Sequence, residues 1–420
     1  MKTTKLYQTD TYIREWDATI TSVTNAEDRD EIKVTLDRTA FFPEGGGQSC
    51  DTGFIDGFAV TDVQESEGDI YHTVSLRSND DSSDLSSLPR ALCPGDTVRC
   101  SLDWEKRFDN MQRHCGEHIL SGVFYSLFGG VNRGFHMGHE YMTIDISLEE
   151  DPDVREITLQ DAADAEMKAN EIIWADVPVT VVRFDSKDEA EKMPLRKALT
   201  VSEDISIVSV GSVENAADCV ACCGTHPSSS GQVGLIKIYK VENYKGMFRI
   251  FFEAGKRAVD DYRYKHDMLT CLSEQYSSSI EDFPEKLKAK EEKLLAVKNE
   301  LFHIKKAFIE NECRKLDSIL LKSTGQNTVI YRLDALSVDD AFNMGKNYMG
   351  KSKSLIMLYS SSDTSYVLVS DGNTDCGALV KEYAPFYNGK GGGSKVAARA
   401  IFPDERDASL FAELITKHLK

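Results

Sequence analysis

Two short clusters more than a hundred residues apart constrain this chain most: His114-Cys115-Gly116-Glu117-His118 and Cys222-Cys223-Gly224-Thr225-His226. Each offers two good metal ligands four positions apart. On a helix, residues i and i+4 stack on one face, so His114 and His118 can turn their ring nitrogens toward one ion. Cys222 and His226 can complete a tetrahedron, and a set of three imidazoles and one thiolate suits zinc. Any fold for this chain therefore has to bring two distant segments to one point.

The elements around these clusters follow from periodicity and punctuation. Residues 5–75 alternate apolar and polar at strand spacing, as in Ile32-Lys33-Val34-Thr35-Leu36, and are broken by Gly, Asp and Asn, which predicts a small antiparallel barrel. Ser78 to Pro94, rich in Ser and Asp, reads as a loop. From about Trp104 to Phe128 the pattern turns helical, and this helix carries both histidines. Residues 131–254 mix strands with a helix near Leu159 to Trp174, one α+β module with the metal site at its centre. A long helix is expected to begin near Lys256, break around Ser277 to Pro284 and run to about Leu321. Leu287, Leu294, Leu301 and Phe308 recur every seven residues along it, with Val297 and Ile304 offset by three, a partial heptad seam. After residue 326 strands and helices alternate, with strands at Thr328 to Tyr331, Ser354 to Tyr359 and Tyr366 to Ser370.

Gly345-Lys346-Asn347-Tyr348-Met349-Gly350-Lys351-Ser352 matches the phosphate-binding loop formula letter for letter. Its context is reversed. Such a loop leaves a buried strand and enters a helix, whose first amides converge on phosphate. Here the segment from Val338 reads as helix and Leu355-Ile356-Met357-Leu358-Tyr359 as a following buried strand. Nor is the histidine helix a metalloprotease helix, because Glu117 precedes the second histidine instead of following the first.

The glycine-rich run Thr39-Ala40-Phe41-Phe42-Pro43-Glu44-Gly45-Gly46-Gly47-Gln48, followed by the His-x-x-x-His helix and the Cys-x-Gly-Thr-His segment, resembles the editing domain of alanyl-tRNA synthetase. Arg133-Gly134-Phe135-His136 with Tyr141 to Asp145 is similar to the strands that follow the histidine helix in that family. Asn388-Gly389-Lys390-Gly391-Gly392-Gly393-Ser394 is similar to the glycine loop of the DHH-associated domain that ends those synthetases. The chain opens almost directly on the editing motif, so the resemblance implies a stand-alone editing protein of the AlaX type, in its long form. The expected fold is α+β, with four parts: a β-barrel carrying the glycine-rich motif (1–103), a zinc-binding editing domain (104–255), a helical linker (256–324) and an α/β DHH-associated domain (325–420).

The implied activity is hydrolysis of the ester joining a wrong amino acid, serine above all and glycine as a further candidate, to alanine tRNA. Serine differs from alanine by one hydroxyl. A hydrophobic pocket rejects such an analogue by only about a hundredfold, whereas a site that hydrogen-bonds the hydroxyl discriminates far better. Thr39 and Gln48 are the expected catalytic and discriminating residues, with Phe41, Glu44, Gly46 and Gly47 around the substrate. The expected ligands of one zinc per chain are His114, His118, Cys222 and His226. Whether zinc is structural or catalytic stays open. Cys219 and Cys223 stay open as ligands too, since Cys223 stands where the family has glycine and Cys219 lies three before Cys222. Neighbouring expectations are the editing of a different misacylated tRNA, as in threonyl-tRNA synthetase, and a non-catalytic zinc-containing tRNA-binding protein.

The net charge of −20 runs against an RNA partner, because affinity for nucleic acid comes from neutralising phosphates. A local patch can still serve. Lys237, Lys240, Lys245, Arg249, Lys256 and Arg257 form one cluster. Lys390, Lys395 and Arg399 form the other, expected to contact tRNA at the start of a helix capped by Ser394. The acidic excess falls partly in 65–84 and 149–156. Ten cysteines without a secretory signal read as free thiols or ligands, and no run approaches about 18 apolar residues, so a cytoplasmic protein with no membrane partner is expected. The 285–320 helix and the C-terminal domain are the expected surfaces of a homodimer.

Overall fold

A computed structural model describes residues 2–26, 30–76, 91–148, 156–202, 205–323 and 325–419. Most of the expected Ser/Asp-rich loop (77–90) and of the second acidic run (149–155) lies outside these residues. The fold is mixed α+β, and contacts divide the chain into two compact units, Met1–Cys271 and Leu272–Lys420.

In the first unit, strands Glu15–Asn25, Glu31–Leu36, Gly53–Ile55, Phe58–Ser66, Asp69–Ser75 and Thr97–Leu102 pair antiparallel into a closed barrel. Period-two alternation decides what fills it: along Asp69–Ser75, Ile70, His72 and Val74 are buried while their neighbours are less so. Ile20, Val34, Leu36, Phe41, Ile55, Val63 and Val98 complete the interior. His72 is the polar member of this core. Its Nδ1 lies 2.9 Å from the carbonyl of Val34, which only accepts, so the hydrogen sits on Nδ1 and Nε2 accepts from the Thr39 hydroxyl at 2.9 Å. Burial pushes the imidazole pKa down to about 4 and keeps it neutral.

Helix α1 (Trp104–Phe128) starts where Asp103 accepts from the Lys106 amide and stops at Gly129 in the left-handed conformation. It is buried almost all round from Met111 to Phe124, so it is the central element of the module. Small residues set its approach to neighbours: a Cβ on Gly116 would lie 2.5 Å from the Ala254 Cβ, and one on Gly122 2.0 Å from the Ala217 carbonyl. Helix α2 (Leu159–Trp174), opened by a Thr158/Asp161 capping box, packs on α1. A four-stranded sheet, ordered Ile236–Tyr244, Met247–Ala254, Met142–Ser147 and Val131–Met137, and a three-stranded sheet of Val179–Phe184, Ile205–Val210 and Asp218–Ala221 enclose them.

The second unit, from Leu272 on, contains the 40-residue helix Phe283–Lys322, whose Pro284 sits in the first turn. Leu316, Ile309, Cys313 and Leu320 pack on the domain beyond it, while Leu294, Val297, Leu301, Ile304 and Phe308 of the heptad stripe are exposed. A five-stranded sheet follows, ordered Thr328–Leu333, Leu355–Ser360, Ser365–Val369, Ala397–Ile401 and Lys390–Gly393. Helix Val338–Gly345 precedes and strand Leu355–Ser360 follows the phosphate-loop-like octapeptide, the reverse of a phosphate loop. The glycine loop corrects one expectation. Lys390–Gly393 is a strand paired with Ala397–Ile401, so Ser394 turns a hairpin instead of capping a helix. The close approach is to the partner strand itself: a Cβ on Gly391 would lie 1.9 Å from the Arg399 carbonyl and one on Gly393 2.3 Å from that of Ala397.

One buried ion pair joins the barrel to α1. Arg107 and Asp51 are both fully buried. The guanidinium also donates to the carbonyls of Thr11 at 2.9 Å and Ala40 at 2.5 Å, and Asp51 accepts from the Phe42 amide at 2.6 Å. Removing one partner of such a pair leaves an uncompensated charge inside the protein. Asp51→Ala is expected to destabilise the first unit by about 3–5 kcal/mol in chemical denaturation, whereas a loss under about 1 kcal/mol would mean that solvent reaches the pair.

Candidate metal centre

The glycine-rich motif turns on a two-residue loop. Gly45 and Gln48 exchange backbone hydrogen bonds of 3.1 and 3.0 Å, and the Gly46 and Gly47 between them have φ of +61° and +84°, a conformation that favours glycine at both positions. Space demands it as well, since a Cβ on Gly47 would lie 2.8 Å from the Phe135 ring. This turn delivers Gln48, fully buried, to the histidine helix.

The fold brings His114, His118, Cys222 and His226 together. Their ligand atoms all lie within 4.8 Å of one another. Cys222 Sγ is 3.3 Å from His114 Nε2 and 3.4 Å from His226 Nε2, and the imidazole centroids are 4.7–5.2 Å apart. Cys219 and Cys223 stay out of the cluster: Cys219 is buried opposite Ser209 in the three-stranded sheet, and a Cβ on Gly46 would lie 3.3 Å from Cys223 Sγ. Gly224 makes the packing workable, because a Cβ there would fall 2.2 Å from His114 Cε1.

The ring orientations are fixed from behind. Gln48 Oε1 accepts from the Thr225 amide at 3.1 Å while its Nε2 donates to Thr225 Oγ1 at 2.9 Å, so the same Oε1 accepts from His114 Nδ1 at 2.8 Å. Asp218 accepts from His118 Nδ1 at 2.8 Å and is itself held by Arg196 at 2.5 Å. Both histidines thus turn Nε2 toward Cys222, oriented by acceptors on their Nδ1 atoms as ligand histidines in metal sites commonly are. His226 Nδ1 is buried without a hydrogen-bond partner among the described residues. Charge follows the same plan. Burial opposes ionisation of Cys222, yet the three facing imidazoles hold its thiol well below the usual range. For His118, burial works against the proton but Cys222 and Asp218 outweigh it and raise the pKa well above normal, while burial drives His226 down to about 4. A low thiol pKa between imidazoles is the state that a divalent ion takes over. The donor set therefore fits a metal ion.

A cavity of about 190 Å³ opens beside the cluster, lined by His114, His118 and Cys222, by Gly46 and Phe135, and by Glu117, Arg133, Arg196 and Lys197. Glu117 accepts from Ser121 at 2.6 Å and Asn132 at 2.7 Å through Oε1, with Oε2 4.0 Å from His118 Nε2. The other expected residues lie elsewhere. Thr39 and Phe41 are fully buried in the barrel, where the Thr39 oxygen accepts from the Phe41 amide at 3.1 Å. Glu44 is exposed and accepts from Gln64 at 3.3 Å. Arg399 pairs with Asp339 at 2.7 Å, and Lys390 and Lys395 are exposed. In the basic cluster of 237–257 the cations are largely spent on carboxylates: Lys237 on Glu166, Lys240 on Glu242, Arg249 on Asp145, Lys256 on Asp260 and Arg257 on Asp109. Asp218, Arg196 and Thr225 escape a reading of spacing, because none stands in a ligand pair.

Over 411 residues the chain is 32% identical to the alanyl-tRNA editing protein AlaX-L of Pyrococcus horikoshii, covering 94% of this chain and 93% of that protein. The chain belongs to the AlaX family of alanyl-tRNA editing proteins. It is also 34% identical over 256 residues to AlaX-M of Methanosarcina acetivorans, covering 59% of this chain and 97% of that one. Against the alanine–tRNA ligase of Pyrococcus abyssi it is 26% identical over its whole length but spans 44% of the ligase. Residues 2–105 match the family of class II (A) tRNA synthetases, and residues 205–251 match the second additional domain of threonyl and alanyl tRNA synthetases. The second match of this AlaX-family chain contains Cys222 and His226, half of the cluster.

Removal of an outer hydrogen-bond partner weakens metal sites of this kind by about 10–100-fold. Gln48→Ala is therefore expected to lower divalent-ion affinity by that factor in a competitive chelator titration. Unaltered affinity would mean that His114 keeps its orientation without the amide.

Proposed function

We propose that this AlaX-family protein hydrolyses mischarged alanine tRNA in trans, with seryl-tRNA(Ala) as its main substrate and zinc, one per chain, held by His114, His118, Cys222 and His226. The observation that carries the reading is the convergence of the four ligands on one point, with His114, His118, Cys222 and Gly46 of the glycine-rich turn lining one cavity. Bound there by all four, zinc would fix the two segments beside the cavity, and it would polarise an ester carbonyl only where its shell expands to a fifth position. The chain's own residues supply the geometry: Gln48 and Asp218 aim the two helix histidines, and the Gly46–Gly47 turn puts bare backbone at the cavity wall. Water attacks the ester carbon, the ribose oxygen leaves with a proton, and free serine and uncharged tRNA result.

In this reading Thr39 discriminates serine from alanine. Its hydrogen is committed to His72 and its oxygen accepts from the Phe41 amide inside the barrel, so this role requires the serine side chain to reach the second lone pair of a buried hydroxyl. Thr39→Val is expected to narrow the gap between seryl- and alanyl-tRNA hydrolysis by about 1 kcal/mol or more, the worth of one hydrogen bond. The C-terminal hairpin with Lys390 and Lys395 contacts the tRNA body, and the exposed heptad stripe of Phe283–Lys322 pairs with a second copy, which the exposure of Leu294, Val297, Leu301, Ile304 and Phe308 supports.

Deacylation of purified mischarged tRNAs by the full chain tests the proposal. Seryl-tRNA(Ala) should be hydrolysed and correctly charged alanyl-tRNA spared. The double variant His114→Ala/His118→Ala should lose about one zinc per chain, half of a four-ligand site having gone, together with the activity. Full metal retention would refute the ligand assignment, and inertness of the metal-loaded protein toward every mischarged tRNA would refute the enzyme.

A further inference from the structure

The cavity beside the metal ligands has a cationic wall that the ligand set does not use. Arg196 is fixed by two contacts to Asp218, Nε to Oδ1 at 2.5 Å and Nη2 to Oδ2 at 3.3 Å, and its side chain is only 5% exposed. That arrangement leaves Nη1 buried with no hydrogen-bond partner among the described residues. A buried charged donor left unmade is expensive, and Arg196 lines the cavity, so an anion that enters there and shifts this side chain outward supplies the acceptor that Nη1 lacks. Lys197 follows in sequence and lines the same cavity, as does Arg133 from strand Val131–Met137. Burial and then the neighbouring Arg196 push the Lys197 pKa down, a strain that an anion would relieve.

The substrate carries one suitable acceptor close to its ester. In an RNA ending in an acylated adenosine, the phosphodiester on the 5′ side of that adenosine is attached to the same ribose that bears the amino acid. We propose that Arg196 Nη1 and Lys197 seat this phosphodiester and so register the acylated ribose against the cluster of His114, His118 and Cys222. Guanidinium and ammonium groups are both ordinary phosphate partners, the first by directed hydrogen bonds and the second as a point charge. The seat explains how a chain of strongly acidic composition grips an RNA end: the contact is local, and its cation is oriented by Asp218 before substrate binds. It deepens the deacylase reading and depends on it.

An oxyanion developing on the ester carbonyl is the other acceptor with this chemistry, and the substrate separates the two. Full-length zinc-loaded protein is assayed on the seryl ester of adenosine and on the same ester of adenosine 5′-phosphate. For the wild type, the phosphate is expected to raise kcat/KM by about tenfold or more, chiefly through KM, as a charge-assisted hydrogen bond to a bound anion should. In Lys197→Met and in Arg196→Lys, each checked for retained zinc, the ratio between the two esters should fall toward one. Equal rates on both esters in the wild type would overturn the seat while hydrolysis of seryl-tRNA(Ala) left the deacylase standing. Variants that slow both esters by one common factor would overturn it too and assign the wall to the oxyanion. Failure on all three substrates would sink the underlying activity instead.

Discussion

Everything at this site depends on the Arg107–Asp51 pair, because the ligand-bearing helix and the glycine-rich turn come from different parts of the first unit. Arg107 stands in the first turn of α1, Asp51 three residues after Gln48, and the two are fully buried against each other. Such a pair adds little net stability over an apolar contact, since both charges had to leave water. What it adds is register. The same guanidinium takes the carbonyls of Thr11 and Ala40, so the N-terminal segment, the glycine-rich motif and the helix start are set by one planar group. From that anchor Gln48 reaches His114 two turns along the helix.

The site is then a set of oriented donors and acceptors built before any ligand arrives. Gln48 fixes one imidazole, Asp218 another, and Arg196 fixes Asp218. Each of these partners is buried, where a wrong hydrogen bond is costly, so the geometry is stiff. The acidity of the chain as a whole fits this arrangement. Most cations over 237–257 are matched to carboxylates, and Arg133, Arg196 and Lys197 line the cavity beside Cys222.

Much of this was legible in the sequence, and for definite reasons. The histidine helix announced itself through a pattern that turns helical from about Trp104 to Phe128, and the ligand pairs through four-residue spacing. Cys219 and Cys223, which the sequence left open as ligands, lie outside the cluster that Cys222 completes. The supporting residues were hidden, because Asp218 and Arg196 meet His118 only through the tertiary fold, and a lone Asp or Arg carries no pattern. The hairpin at 390–401 was misread as a loop and helix start for a physical reason: glycines suggest a turn, yet here they allow an edge strand to lie close to Ala397–Ile401. His72 left no trace at all, being a histidine at a strand position where valine would fit equally well.

The central claim is that one ion is shared by three imidazoles and one thiolate drawn from both segments. X-ray absorption at the zinc edge of metal-loaded protein tests it most directly. The account predicts one sulfur at about 2.3 Å and three nitrogens at about 2.0–2.1 Å per ion. Two or more sulfurs would bring Cys219 or Cys223 into the shell, and a shell without sulfur would remove Cys222; either result would contradict it.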